Sequence, residues 1–203
     1  AIGAHLAQDP LLAPLIAEQP GLRAPGGWDG FELAVRAVLG QQVTVEAGRK
    51  LGSRLTQICG TALQARKHRA ELHRAFPTAA QVAAADLSAL GMPNARKEAL
   101  IALAQAALQD PTLFQPQGSI EETVARLRAI RGIGEWTAHY IALRAVRETD
   151  AFPASDIGLL RGAAIGTGAR PSPAVLQSRA ETWRPWRAYA AQHLWAADAA
   201  AHG

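Results

Sequence analysis

The chain has 203 residues, 49% of them hydrophobic, so it is long and apolar enough to bury a core and is not a disordered protein. Lys and Arg number 21 against 17 Asp and Glu, a net charge of +4 that is compatible with nucleic-acid binding. The single cysteine, Cys59, excludes a disulfide framework, a Cys-ligated zinc site and a four-cysteine iron–sulfur cluster. No apolar run approaches the roughly 18 residues of a membrane-spanning helix, and the N-terminal segment has no signal-peptide pattern, so a cytoplasmic location is expected.

The basic residues are Arg at all positions except Lys50, Lys67 and Lys97. Arg matches phosphate groups through its forked donors, which favours a nucleic-acid partner. A GC-rich genome also enriches Arg and Ala codons, and this composition effect explains the excess of Arg equally well.

The predicted elements are almost all helical, because Ala and Leu dominate and no long run alternates with period two. We therefore predict an all-α fold. In chain order, the predicted helices lie near 2–18 with interruptions at Pro10 and Pro14, and then at 29–39, 44–59, 61–75, 86–91, 94–108 and 120–130.

Capping residues set several of these bounds. N-caps are predicted at Asp29 and Thr44, and capping boxes at Thr78 with Gln81 and at Ser119 with Glu122. Residues 61–75 are rich in Arg and His, including Arg66, Lys67, His68 and Arg69, and are predicted to form a solvated surface helix. The Ala-rich tail over 196–203 is expected to fray.

Two glycines, Gly132 and Gly134, separate the helix predicted at 120–130 from a second helix that begins at once. This spacing predicts a tight hairpin whose backbone N–H groups lie at the N-terminus of the second helix, a position that suits phosphate. Ile130 and Ile133 are expected to pack inside the hairpin. A simple αα-hairpin that only packs would show the same pattern.

A carboxylate lies at a predicted helix start about twenty residues further along the chain. Pro153 ends regular structure, and Ser155 or Asp156 begins the next helix. Backbone dipoles at a helix N-terminus favour a carboxylate, which suits a fixed catalytic group. An ordinary N-cap explains the same residue.

Together these residues resemble the helix-hairpin-helix DNA glycosylases, and within them the alkylation-repair 3-methyladenine DNA glycosylase II branch. The similarity spans about residues 5–197. It rests on the lesion-probing loop in FELAVRAVLGQQVT (31–44), a helix junction at LGMP (90–93), the hairpin RGIGEWTA (131–138), Asp156, and the C-terminal signature WRPWRAY (183–189). Longer members carry an N-terminal β-domain that has no counterpart in these residues.

The resemblance implies excision of alkylated bases, of the 3-methyladenine and 7-methylguanine type, by hydrolysis of the N-glycosidic bond in base excision repair. The damaged nucleotide would be flipped out of the duplex, and Asp156 would stabilise the positive charge that develops on the sugar. Electron-rich rings attract a cationic base. The implied pocket walls are Trp136, Tyr140, Trp195 and Ile157, although core packing explains each aromatic residue as well.

Other residues acquire expected roles from the same resemblance. The DNA contacts would be Gln41 and Gln42 of the probing loop and Gly132, Gly134 and Thr137 of the hairpin. Hairpins of this family commonly hold a sodium or potassium ion on backbone carbonyls, which here would be those of Arg128, Ile130 and Ile133. No organic cofactor is expected, and the six scattered His residues do not indicate a transition-metal site.

Three positions distinguish this chain within the family. Relatives that also cut the DNA backbone place a Lys two residues after the second hairpin Gly, where its amine forms a Schiff base with the sugar. Trp136 occupies that position here and the last Lys is Lys97, which implies a monofunctional glycosylase without lyase activity. Gln42 stands where many relatives have a Leu that acts as a wedge, and Ile157 stands where some relatives have a Tyr. These two differences are expected to affect base specificity rather than the type of reaction.

The expected architecture has two lobes with the site in the cleft between them. Lobe one combines 1–30 with 149–203, and lobe two comprises 31–148 with the helix-hairpin-helix at about 120–146. The expected partner is double-stranded DNA with a damaged base, bound by a monomer at the bacterial nucleoid without membrane contact. Trp28, Trp183 and Trp186 are assigned to the scaffold.

Two alternatives remain open. A related glycosylase could act on oxidised or deaminated bases, which a panel of substrates distinguishes. A non-catalytic helix-hairpin-helix module could bind DNA without cutting any bond, but such a module does not need an acid such as Asp156 facing phosphates.

Overall fold

A computed structural model of the chain describes residues 1–63, 73–165 and 168–202. The regular elements of these ranges are helices, which confirms the all-α fold class, and one isolated antiparallel bridge joins Ala62 to Arg74. In chain order, helices α1–α11 of the described residues are Ile2–Leu6, Leu12–Glu18, Gly30–Leu39, Val45–Cys59, Ala79–Ala84, Asn94–Gln109, Ile120–Arg128, Glu135–Ile141, Ile157–Gly162, Pro173–Ala180 and Arg187–His202. A π-helical turn, Ala142–Val146, follows α8, and short 3₁₀ turns lie at Ser88–Leu90 and Glu181–Trp183.

The helices pack in two groups. In one group α9 and α2 pack against α11, and in the other α3 packs against α4, α6 and α8 while α7 packs against α8. The first group joins the two ends of the sequence, and Asp9 helps to hold them together. Its Oδ2 accepts hydrogen bonds from Arg179 Nε at 2.8 Å and from Trp183 Nε1 at 2.7 Å. The lobe boundaries at residues 31 and 148 stay predictions.

Side-chain caps begin the helices where the sequence predicts them. Asp29 and Thr44 accept from backbone N–H groups three residues further on, at 3.1 and 3.2 Å. The capping box of Thr78 with Gln81 is complete. The box predicted at Ser119 is half formed in the described residues, because Ser119 accepts from the N–H of Glu122 at 3.1 Å without the return bond. These bonds satisfy N–H groups that no helical carbonyl can reach, and so they fix where each helix begins.

The opening helix is divided into α1 and α2 rather than kinked. The chain turns between Leu6 and Leu12, around Pro10. Pro14 lies within the first turn of α2, where its missing N–H has no helical partner to lose.

The predicted surface helix over 61–75 is wrong at both of its described ends. Leu63 N donates to His73 O at 2.9 Å, and Ala75 N donates to Thr61 O at 2.8 Å. These cross-strand bonds replace the helical ones, because the chain leaves α4 at Gly60 in an extended conformation. The basic positions 66–69 of this prediction lie outside the described residues.

Two further expectations are wrong. Over residues 196–202 the tail is helical rather than frayed, because α11 continues to His202 and Asp198 is buried against Arg161, with two hydrogen bonds of 2.7 Å. Trp28 is fully exposed and takes no part in the scaffold, whereas Trp183 is 1% exposed in the core. Within the described ranges no helix combines the length and apolar character needed to cross a membrane.

Candidate functional site

Asp156 is the N-cap of α9, and four N–H groups surround its carboxylate. Oδ1 accepts from the backbone N–H of Gly158 at 2.9 Å and of Leu159 at 3.1 Å. Oδ1 also accepts from Trp195 Nε1 at 2.8 Å, and Oδ2 accepts from Trp136 Nε1 at 2.8 Å. An ordinary N-cap needs only the backbone donors, so the two indole donors are the unusual feature of this residue.

The two oxygens of the Asp156 carboxylate accept different numbers of hydrogen bonds. Oδ1 has three donors, whereas Oδ2 has the single bond from Trp136 among the described residues. Each carboxylate oxygen has two lone pairs, so the three donors at Oδ1 share its two lone pairs, whereas the bond from Trp136 uses only one of the two at Oδ2. Oδ2 therefore keeps one lone pair that can accept a hydrogen bond from a ligand. The three bonds at Oδ1 hold the carboxylate in one orientation.

Three aromatic rings, those of Trp136, Tyr140 and Trp195, form one cluster beside this carboxylate. Trp136 and Tyr140 lie one turn apart on α8 and are stacked, with ring centroids 5.3 Å apart. Trp195 of α11 meets Tyr140 edge to face at 6.0 Å. The structure thus brings together three of the four predicted pocket residues. Ile157 begins α9 directly after Asp156 with its side chain 51% exposed.

Two glycines of α9 allow this helix to approach α11 closely. A Cβ at Gly162 would lie 2.1 Å from the carbonyl oxygen of Leu194, and one at Gly158 would lie 3.0 Å from Cδ1 of Trp195. On the same side, Arg161 forms a forked ion pair with Asp198, and the hydrogen bond from Arg161 lowers the pKa of Asp198 below its ordinary value. Close packing of α9 on α11 therefore places Trp195 against Asp156.

The hairpin lies between α7 and α8, and its two glycines serve different purposes. Gly132 has φ +84°, and a Cβ there would lie 2.4 Å from Cβ of Ala99 on α6. Gly134 is the N-cap of α8 with φ −84°, and no atom lies within 4 Å of the position its Cβ would take. Ile130 and Ile133 are buried, as expected for a packed hairpin. The fold requires glycine at 132 but leaves open space at 134.

We expect Gly132→Ala to lower the free energy of unfolding by at least about 2 kcal/mol, because it combines a left-handed backbone with an overlap against α6. Gly134→Ala is the matched control and is expected to stay within about 1 kcal/mol of the parent, because its backbone conformation suits any residue. Urea denaturation of both variants measures the difference. Equal stability of the two variants would contradict this assignment of the glycines.

The probing loop, residues 40–43 between α3 and α4, is attached to the hairpin through Gln41. Its Nε2 donates to Thr137 Oγ1 at 2.8 Å and to Gly132 O at 3.3 Å. Arg96 of α6 donates to the carbonyl oxygen of Gln41 at 2.6 Å. Thr137 is buried, so its observed role is to hold the loop, and the expected DNA contacts of Gln41 and Thr137 stay predictions.

Gln42 has an exposed side chain and a left-handed backbone, with φ +55°. This conformation costs about 1 kcal/mol or more in a residue other than glycine, and such strain is concentrated at functional positions. The bonds of Gln41 hold the neighbouring backbone in place. Gln42 is therefore presented on the surface by a fixed loop.

The expected ion ligands are the backbone carbonyls of Arg128, Ile130 and Ile133, at the end of α7 and in the turn after it. The carbonyl of Ile130 accepts from the N–H of Ile133 at 3.1 Å, which leaves it one lone pair. Carbonyl oxygens suit a hard cation. No three His, Cys, Asp or Glu side chains form a metal-binding group in the ranges that the structure describes.

Sequence reasoning missed the roles of two residues of this region. Arg144, on the π-helical turn, places its guanidinium carbon 4.9 Å from the Trp195 ring centroid and 5.7 Å from that of Tyr140. A contact between Arg144 and Tyr140 could have been predicted from their spacing of four residues, because side chains at positions i and i+4 lie next to each other on a helix. Arg96 holds the probing loop through a backbone carbonyl, which leaves no signal in the sequence.

Comparison with known proteins agrees with this geometry. Residues 35–188 match the HhH-GPD superfamily base excision DNA repair protein family. The chain is 42% identical over 187 residues to DNA-3-methyladenine glycosylase 2 of Escherichia coli, covering 91% of this chain and 63% of that protein. It is 27% identical to DNA-3-methyladenine glycosylase of Bacillus subtilis, covering 92% of this chain and again 63% of the relative. The chain thus spans less than two thirds of either relative.

Solved structures show the same fold. The 3-methyladenine DNA-glycosylase of Archaeoglobus fulgidus superposes with a TM-score of 0.80 at 22% identity, covering 97% of this chain and 68% of that one. The Schizosaccharomyces pombe enzyme, solved in complex with abasic DNA, gives 0.76 at 23% identity, covering 96% and 94%. Because the family match covers most of the chain and includes the hairpin and Asp156, the chain belongs to the HhH-GPD superfamily of base excision DNA repair proteins.

Proposed function

We propose that this chain is a monofunctional DNA glycosylase that excises alkylated bases, of the 3-methyladenine and 7-methylguanine type, in base excision repair. The observation that carries the proposal is Asp156, a fixed carboxylate with a spare acceptor position beside three aromatic rings. A DNA-binding module without chemistry has no use for a negative group on a surface that faces phosphates. The similarity to two 3-methyladenine glycosylases supports the choice of substrate.

The chemistry follows from the position of the carboxylate. A base within the duplex is out of reach, so its nucleotide must be flipped toward the rings. As the N-glycosidic bond breaks, the base leaves with the bonding electrons and the sugar becomes positively charged at C1′. Oδ2 of Asp156 stabilises that charge and orients the water that adds to C1′, whose proton passes to the carboxylate or to solvent. The products are a free base and an abasic site.

In this proposal the hairpin binds the DNA backbone. The N-terminus of α8 presents backbone N–H groups beside Gly134, where open space lets a phosphate approach. A sodium or potassium ion on the carbonyls of Arg128, Ile130 and Ile133 would add positive charge at the same turn. The protein binds double-stranded DNA as a monomer, and its location at the bacterial nucleoid stays a prediction.

The absence of lyase activity is part of the proposal. At the hairpin position where lyases carry a Schiff-base Lys, Trp136 donates its indole N–H to Asp156 instead. The last Lys of the sequence is Lys97, on α6. Water is therefore the nucleophile, and the product strand stays intact until it is treated with hot alkali.

Gln42 is the proposed wedge that fills the gap left by the flipped nucleotide. We expect Gln42→Ala to weaken binding to abasic duplex about tenfold more than binding to undamaged duplex, because unstacking costs a few kcal/mol and a side chain offsets part of it. Gln42→Leu should restore much of the loss, since volume matters more than the amide. Fluorescence anisotropy with both duplexes measures this ratio. An equal loss on both duplexes without recovery by Leu would show that Gln42 only supports the loop.

The experiment that tests the proposed function uses a panel of duplexes, each with one modified base. The panel contains 3-methyladenine, 7-methylguanine, an oxidised purine and a deaminated purine. Excision is scored as strand cleavage after hot alkali, and borohydride trapping is scored in parallel. Excision of the alkylated bases without trapping supports the proposal. A preference for the oxidised or deaminated base favours the related glycosylase, and binding without excision of any base favours the non-catalytic module.

A further inference from the structure

The aromatic cluster already contains a positive charge from the protein itself. The guanidinium of Arg144 lies over the rings of Trp195, at 4.9 Å, and Tyr140, at 5.7 Å. Trp136, Tyr140 and Arg144 follow one another at four-residue spacing, so Trp136 approaches Tyr140 from one turn before and Arg144 from one turn after. Tyr140 thus contacts both an aromatic ring and a cation.

Arg144 differs in its partners from three other half-buried arginines. Arg126, Arg179 and Arg184 each form an ion pair with an aspartate, at Asp110, Asp9 and Asp150. Across residues 1–63, 73–165 and 168–202, the hydrogen bond of Arg144 is made to the carbonyl oxygen of Pro25, at 3.2 Å, and no carboxylate pairs with it. Its charge is stabilised by ring faces and one carbonyl, and it retains N–H donors for a ligand.

The position of Arg144 along the helix places it at the end of the cluster that is remote from the hairpin. Trp136 lies in the first turn of α8, beside the hairpin, and Arg144 lies two turns further along, about 12 Å by helical rise. A base that enters past the hairpin and stacks on the rings therefore presents its far edge to the guanidinium. A cationic base competes with Arg144 for the same ring faces and is repelled by it, whereas a neutral base with a carbonyl or ring nitrogen at that edge accepts a hydrogen bond.

We propose that Arg144 is a specificity-determining residue that shifts the pocket away from positively charged bases and toward neutral purines that offer a hydrogen-bond acceptor. The proposal rests on the glycosylase function proposed above. The weak glycosidic bond of a cationic base still permits its excision, after the guanidinium is displaced from Trp195. Arg144 therefore sets the ratio between the two classes of substrate rather than the reaction itself.

The test compares two duplexes that differ in one base, 7-methylguanine as the cationic substrate and hypoxanthine as the neutral one. Single-turnover excision rates are measured for the parent, for Arg144→Met, which keeps the apolar stem, and for Arg144→Gln, which loses the charge but keeps a donor. We expect the ratio of the 7-methylguanine rate to the hypoxanthine rate to rise about tenfold in both variants. Arg147→Gln is the matched control, because Arg147 bonds to Gly27 O at 2.9 Å and has no cation–ring contact in the part of the chain that the structure describes. Its ratio should stay at the parental value.

Each outcome decides the matter. If both excision rates change equally in the variants and their ratio stays constant, Arg144 has only a structural role. If the parent protein excises 7-methylguanine but not hypoxanthine, the proposal is also overturned. If Arg144→Met fails to fold, Arg144→Gln alone must still raise the ratio. A parent that releases neither these two bases nor 3-methyladenine would instead contradict the proposed function, which separates that failure from this one.

Discussion

Asp156→Asn is expected to lower the rate of base excision at least ~100-fold, the scale lost when one electrostatic stabiliser of a transition state is removed. Asparagine is as good an N-cap as aspartate, and its carbonyl oxygen can still accept from the N–H groups of Gly158 and Leu159. Its amide nitrogen would face Trp136 Nε1, so one hydrogen bond is lost and the charge disappears. The fold and DNA affinity should persist, and affinity could rise because a negative group facing phosphates is removed.

Asp29→Asn is the matched control for this experiment. Asp29 is also an N-cap, on α3, and its side chain accepts from the N–H of Glu32 at 3.1 Å without any indole donor. Excision by this variant should stay within about twofold of the parental rate. Single-turnover kinetics on a 7-methylguanine duplex and binding to undamaged duplex are measured for both variants. Near-parental excision by Asp156→Asn would remove Asp156 from the mechanism.

Gly162→Ala is expected to lower the free energy of unfolding by at least about 2 kcal/mol. The added Cβ would lie 2.1 Å from the carbonyl oxygen of Leu194 and 2.8 Å from its carbonyl carbon, so α9 and α11 must move apart. The gain of about 1 kcal/mol in helix propensity offsets only part of this cost. Because α11 carries Trp195, the same movement lengthens its hydrogen bond to Asp156, and excision should fall as well.

Gly48→Ala provides the control for helix propensity. Gly48 lies within α4, and its added Cβ would be 3.5 Å from the nearest atom, an ordinary contact. Its free energy of unfolding should therefore stay at or above that of the parent. Urea denaturation is followed for both variants at one protein concentration. If Gly162→Ala proved as stable as Gly48→Ala, the close approach of α9 to α11 would be refuted.

Local signals made much of the fold predictable from the sequence. Asp29, Thr44 and Thr78 begin helices by bonds to residues three positions away, and such short-range caps can be recognised in the sequence. The helical character of the chain follows from its composition and pattern for the same reason. The prediction over 61–75 is wrong at its described ends because it considered composition alone, whereas the bond from Leu63 to His73 joins positions ten apart.

The residues of the site could be predicted from the sequence, but the hydrogen bonds between them could not. The resemblance to a known family pointed to Asp156, Trp136 and Trp195, and the structure places both indole N–H groups on the carboxylate. Nothing in the sequence states that Trp195, 39 positions away, donates to Oδ1, because that bond depends on how closely α9 approaches α11. Arg144 was missed because its partners are ring faces and a carbonyl rather than a charge of opposite sign.

Mass spectrometry of the complete reaction mixture distinguishes hydrolysis of the N-glycosidic bond from cleavage of the DNA strand. The substrate is a duplex with one 7-methylguanine, and a mixture without protein corrects for spontaneous loss of the base. We predict equal amounts of free 7-methylguanine and of a full-length strand in which a hydroxyl group replaces the base. Strand fragments ending in an unsaturated sugar would contradict the absence of strand cleavage. A fully retained base on protein-bound DNA would contradict hydrolysis of the N-glycosidic bond.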